Sequence, residues 1–181
     1  MEVTFTRLAG AAYSVSIRRS DGVVLSLRPA GASSAMPHDL AHFVIESELG
    51  LQQGFWGCVA AGAVPPGMAV VEGRRRPHAT QRSRAVLKAA GQRTTEAEHM
   101  VRLVLEVALG NLDERSPPLA LTRINEAWRP PGRSRASLGP AQLSRLCSLV
   151  RAARARWQEL EPGACLVQRW TLPEPRAPRS T

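Results

Sequence analysis

The chain has 181 residues, a formal net charge of +9, and 44% hydrophobic against 22% charged residues. These proportions exclude a wholly disordered chain and a fibrous repeat, and the length suits one globular domain, assigned to residues 1–172. The basicity attracts polyanions, yet Lys88 is the only lysine among 24 basic residues, and an arginine-rich, Ala/Gly/Pro-rich background is also what a GC-rich genome writes.

Residues 3–28 alternate as strands do. Val3 and Phe5 share a face; Tyr13, Val15 and Ile17 alternate with Ser14, Ser16 and Arg18; Leu25 and Leu27 alternate with Ser26 and Arg28. Ser20-Asp21-Gly22 supplies a hairpin turn, because Asp-Gly readily adopts the backbone angles that tight hairpins need. Three antiparallel strands are expected, with one face for helices to cover.

Pro37 is preorganised for a first helical turn and Gly50 for an ending, which predicts a helix from Pro37 to about Leu49. Phe55–Ala63 reads as a second short helix, stopped by Val64-Pro65-Pro66-Gly67. Residues 49–71 lack charge, but Gln52, Gln53, the prolines and the glycines exclude a continuous membrane helix. Residues 74–83 read as an exposed connection. A helix follows over Arg84–Ala90, ended by Gly91. Another is expected to start at Thr95, where Thr95 and Glu98 have the spacing of a capping box, and to run to about Leu109 as the central helix.

Residues 119–128 read as a shorter helix and 129–139 as a flexible link. Pro140 opens the last helix, whose Leu143, Leu146, Val150, Ala153, Trp157 and Leu160 form a packing seam. Cys165–Leu172 is expected to be a further strand returning to the sheet, and 173–181 a disordered tail. The architecture is therefore α+β: a small N-terminal antiparallel sheet packed against a helical bundle. Cys58, Cys147 and Cys165 lack the spacing of a zinc site or a disulfide framework and read as reduced thiols. With neither a secretory leader nor a membrane span, the chain is expected in the cytoplasm.

The pattern with most chemical content is His38-Asp39-x-x-His42-x-x-x-Glu46. At 100° per residue these side chains occupy about one 100° sector of a helix, and Leu40, Ala41, Phe43, Val44 and Ile45 cover the rest. Two imidazoles one turn apart can reach one ion, and zinc, iron and manganese accept such nitrogen/oxygen sets. The segment Pro37–Glu46 resembles a motif of an uncharacterised family of GC-rich bacteria. Its His-Asp-x-x-His core is similar to the zinc-ligand motif of the ubiquinone-biosynthesis scaffold family. That resemblance implies zinc ligation by His38, Asp39 and His42. The family's downstream glutamate would fall twelve residues beyond His42, where this chain has Gly54.

The leading expectation is a small metal-binding protein, with metal-dependent hydrolysis as its catalytic form. His38, His42 and Glu46 are the expected ligands, Asp39 a ligand or orienting group, and His99 a further donor from the 95–109 helix. The alternative is a binding module without catalysis. Residues 74–93 hold seven basic residues and no acidic one, and Arg74, Arg75, Arg76, Arg82 and Arg84 could meet nucleic acid or an acidic protein partner. A third reading is an accessory chain that only packs against another protein.

Overall fold

The computed structural model describes residues 1–27, 36–74, 76–110, 117–127 and 137–171. The expectations for Arg75, for most of the 129–139 link and for the tail lie outside the described residues.

The fold is α+β. The strands are β1 (Glu2–Arg7), β2 (Tyr13–Arg18), β3 (Val24–Leu27), β4 (Met68–Glu72) and β5 (Cys165–Arg169). They form one sheet in the order β4-β3-β2-β1-β5, antiparallel throughout. The register sets apolar residues opposite one another: Val3 faces Ile17, Phe5 faces Val15 and Leu166, and Ile17 faces Leu25. All of these are buried, whereas Thr4, Ser14, Ser16 and Ser26 occupy the other face. The β2–β3 hairpin closes at the expected place, with Gly22 at φ 80° and the Val23 amide donating to the Asp21 carboxylate at 3.2 Å.

The helices are α1 (His38–Leu49), α2 (Phe55–Ala60), α3 (Ala79–Ala90), α4 (Gln92–Ala108), α5 (Pro117–Ala127) and α6 (Pro140–Gln158). Two expectations are corrected. The segment read as an exposed connection through Ser83 is already helical from Ala79. Thr95 and Glu98 cap nothing, because α4 begins at Gln92. The expected central helix, α4, packs against α1, α5 and α6; α1, which packs against α2, α4 and α6, is more enclosed still, with only His38 and Glu48 along it exposed. The strand β4 was not expected at all.

The few aromatic residues gather around α1. Trp56 is fully buried and meets Phe5, Phe43 and Phe55 edge to face at 6.0, 5.5 and 5.1 Å, while Trp170 meets Phe43 at 5.6 Å. Such pairs contribute about 0.5–1.5 kcal/mol each beyond simple burial. The Trp56 indole N–H donates to the Asp39 carbonyl at 2.9 Å, tying α2 to the first turn of α1. The α6 seam is buried at Leu143, Leu146, Val150, Ala153 and Trp157. Arg7 donates to the carbonyls of Trp157, Gln158 and Leu160, which holds the end of α6 on the sheet. Among the described residues no helix is long and apolar enough to cross a membrane.

Candidate metal centre

Helix α1 begins where Pro37, at φ −57° and ψ 132°, offers its carbonyl to the amides of Leu40 and Ala41. It ends at Gly50, which takes the left-handed conformation at φ 67°. Between these points Leu40, Ala41, Phe43 and Ile45 are buried, and so are His42 and Glu46. Two ionisable groups buried on one helix need partners, since an unpaired charge in the interior is costly. Each is partly the other's partner, and the rest come from α2 and α4.

His42 has a carboxylate at each ring nitrogen. Its Nδ1 lies 2.9 Å from Glu46 Oε1, one turn along the helix. Its Nε2 lies 2.9 Å from Oε2 of Glu98, on α4, and Oε1 of the same carboxylate stands 3.6 Å from His38 Nε2. The Nε2 contact is close but poorly directed, so this buried nitrogen has no aligned hydrogen-bond partner. His38, His42 and Glu98 each bring one donor atom within 4.8 Å of the others. Two donors on one zinc ion, bound at about 2.0–2.2 Å, stand at most about 4.4 Å apart. Both Glu98 distances fall within that reach, and a group of this composition can hold a metal ion. The side chains of His38 and Glu98 are half exposed, so the group opens to solvent on one side.

Glu46 is occupied differently. Its Oε1 accepts the Phe55 amide at 3.0 Å as well as His42, and its Oε2 accepts the Trp56 amide at 2.8 Å. These are the first two amides of α2, so the carboxylate caps that helix where amides lack partners and the helix dipole favours negative charge. Gly54 makes the approach feasible: a Cβ there would lie 2.5 Å from Glu46 Oε2. A carboxylate can only accept at Nδ1, which puts a proton on that nitrogen and leaves Nε2 as the ring's outward donor atom.

The other expected site residues are placed elsewhere. Asp39 accepts the Tyr13 hydroxyl at 2.7 Å and so joins α1 to the sheet. Burial and this carboxylate push the tyrosine pKa upward. His99 is exposed and is not one of the grouped donors, although its charge acts on neighbouring Glu98. Arg74, Arg76, Arg82 and Arg84 are exposed on α3 and just before it, and none belongs to the donor group on α1 and α4. Glu98 was missed because its spacing from Thr95 imitates a cap; its meeting with His42 depends on α1 packing against α4, which no local pattern reveals.

Burial works against protonation of His42, but the hydrogen bond to Glu46 and the close carboxylate charges of Glu46 and Glu98 outweigh it and raise its pKa to about 9. The close contact and charge of His42 hold Glu98 below its ordinary value of 4.5, against the effect of partial burial. Burial lowers the pKa of His38, helped by the neighbouring His42 charge. For metal-free protein the stability consequence has a definite sign. The His42 contribution is complete below pH 6.5, its unfolded value, and is lost as pH rises through about 9. The Glu98 contribution is present above its ordinary value and disappears in acid. The unfolding free energy from urea denaturation should therefore be highest between about pH 5 and 6.5 and fall by about 1–3 kcal/mol by about pH 9.5. A flat alkaline limb would contradict the paired imidazolium.

Comparison with protein-family models, with curated proteins and with solved structures found no match to this chain.

Proposed function

We propose that the protein binds a divalent transition metal, zinc, iron or manganese, through His38, His42 and Glu98, with Glu46 holding the His42 ring in register. The observation that carries this reading is the His42 Nε2 atom: buried, without an aligned hydrogen-bond partner, and beside a second imidazole and a carboxylate. A set of two nitrogens and one oxygen suits these ions. A buried carboxylate behind a ligating imidazole is the usual outer support of such a ligand. The His-Asp-x-x-His resemblance points the same way for His38 and His42, while Asp39 acts through Tyr13 rather than as a ligand.

Three protein donors with an open side leave a position for water, the arrangement of catalytic rather than structural zinc sites. A metal-bound water is an effective nucleophile near neutral pH, so hydrolysis is the reaction class this donor set supports. The three free cysteines fit a reducing, cytoplasmic setting.

Titration of metal-free protein with zinc or cobalt tests the ligand assignment. Near-stoichiometric uptake is expected, with Glu98→Gln abolishing tight binding and Glu46→Gln weakening it by about 10–100-fold. His99→Gln should bind as wild type does. Equal affinities for wild type and Glu98→Gln would remove Glu98 from the site. Metal-loaded protein without turnover on activated esters or phosphodiesters would remove hydrolysis and leave binding alone.

A further inference from the structure

The strongest feature outside the metal centre is the outer face of α3. This helix is fixed to the body by one side only. Ala90, with Val86 and Leu87, packs against Cys58 and Ala63, and the Ser83 hydroxyl accepts the Val64 amide at 2.9 Å. At 100° per residue the opposite crest is formed by Gln81, Ala85 and Lys88, with Arg84 on one shoulder and Arg82 on the other. All five are exposed. Arg74 and Arg76, also exposed, precede the helix. Residues 74–93 contain no carboxylate, and among the described residues none of Arg74, Arg82, Arg84 and Lys88 has an acidic partner.

We infer that this face docks duplex DNA, with α3 lying in the major groove. The occupant follows from shape and charge together. A convex helix with cations on both shoulders matches a groove bounded by phosphates on both sides. The major groove of B-form DNA is about 12 Å wide, and a helix with its side chains is about 10–12 Å across. Alanines at and beside the crest, Ala85 and Ala89, let the helix backbone approach closely. Guanidinium groups suit phosphate oxygens, since their paired N–H donors match the oxygen geometry. The face lacks the large exposed apolar residues with which a helix enters a lipid surface, because its apolar side is already used against the body. Gln81 is the one crest side chain with both donor and acceptor, so binding is positioned by phosphates and discriminates little among sequences. The inference is independent of the metal centre, whose donors lie on α1 and α4.

Fluorescence anisotropy with a labelled short DNA duplex of mixed sequence tests it. The triple variant Arg82→Gln/Arg84→Gln/Lys88→Gln should remain folded, because the three side chains are exposed and unpaired. It should bind at least about tenfold more weakly, and the slope of log affinity against log salt should shrink by about 2–3, as three phosphate contacts imply. A control triple with the same charge change elsewhere, Arg18→Gln/Arg123→Gln/Arg156→Gln, should keep wild-type slope. Duplex RNA of the same sequence should bind more weakly than DNA, since its deep, narrow major groove excludes a helix. The inference is overturned if the α3 triple binds as wild type, if the control triple loses as much, if RNA binds as well as DNA, or if poly-glutamate binds more tightly than DNA.

Discussion

Replacing Glu46 with alanine should destabilise the protein by about 3–5 kcal/mol, the range for removing one member of a buried ionic group. Three donors lose their acceptor together: the Phe55 amide, the Trp56 amide and His42 Nδ1. All meet a carboxylate that is fully buried, so water cannot replace it without entering the core. Each buried donor left unsatisfied costs about 1–3 kcal/mol. Glu46→Gln preserves volume and one acceptor oxygen but sets an amide NH2 against a backbone N–H, and should cost about 1–3 kcal/mol. Gly54→Ala should be harmful for the complementary reason, because its new methyl meets the same carboxylate at 2.5 Å. Urea denaturation of metal-free protein separates these effects from metal binding. An alanine variant within about 0.5 kcal/mol of wild type, the range for changes that disturb nothing buried, would mean that Glu46 does not hold α1 and α2 together.

Val150→Asp should have a comparable effect for a different reason. Val150 is fully buried on α6, the helix that packs on α1, α4 and α5. A carboxylate there would be desolvated in a seam of Leu143, Leu146, Cys147, Ala153 and Trp157. The variant must either bury the charge or stay protonated in an apolar site, and the loss should be about 3–5 kcal/mol or outright unfolding. Arg156→Gln is the matched control. It changes the charge of an exposed residue on the same helix and should shift stability by less than about 0.5 kcal/mol. If chemical denaturation gives Val150→Asp the stability of wild type, α6 is not part of the core.

What could be read from the sequence was what short-range chemistry encodes. Pro37 and Gly50 bound α1 because one preorganises a first turn and the other accepts a left-handed backbone. Asp21-Gly22 closes the β2–β3 hairpin by the same logic, and the α6 seam repeats often enough to be unambiguous. The strand β4 was hidden because it is an edge strand with no fully buried residue and so lacks the alternation that marks a half-buried strand. The start of α3 was hidden by arginines and by His78, which takes a positive φ of 58° although it is not glycine. In the site, the helix carrying His38 and His42 was legible, and the exchange of Glu46 for Glu98 was not. Helical spacing places Glu46 on the histidine stripe, but it does not reveal that the amides of Phe55 and Trp56 claim its oxygens. Glu98 lies 60 and 56 residues from the two histidines. Only the packing of α1 on α4 joins them.

The central claim is that the α1–α4 contact is a metal site and not merely an ion cluster that fastens two helices. Elemental analysis of protein purified without an affinity tag tests this most directly. Wild type should carry near-stoichiometric zinc, iron or manganese, and His42→Ala should carry none. A folded wild type that is metal-free as purified, and that takes up none of the three ions when each is supplied, would contradict the claim and leave His42 as an imidazolium held between two glutamates.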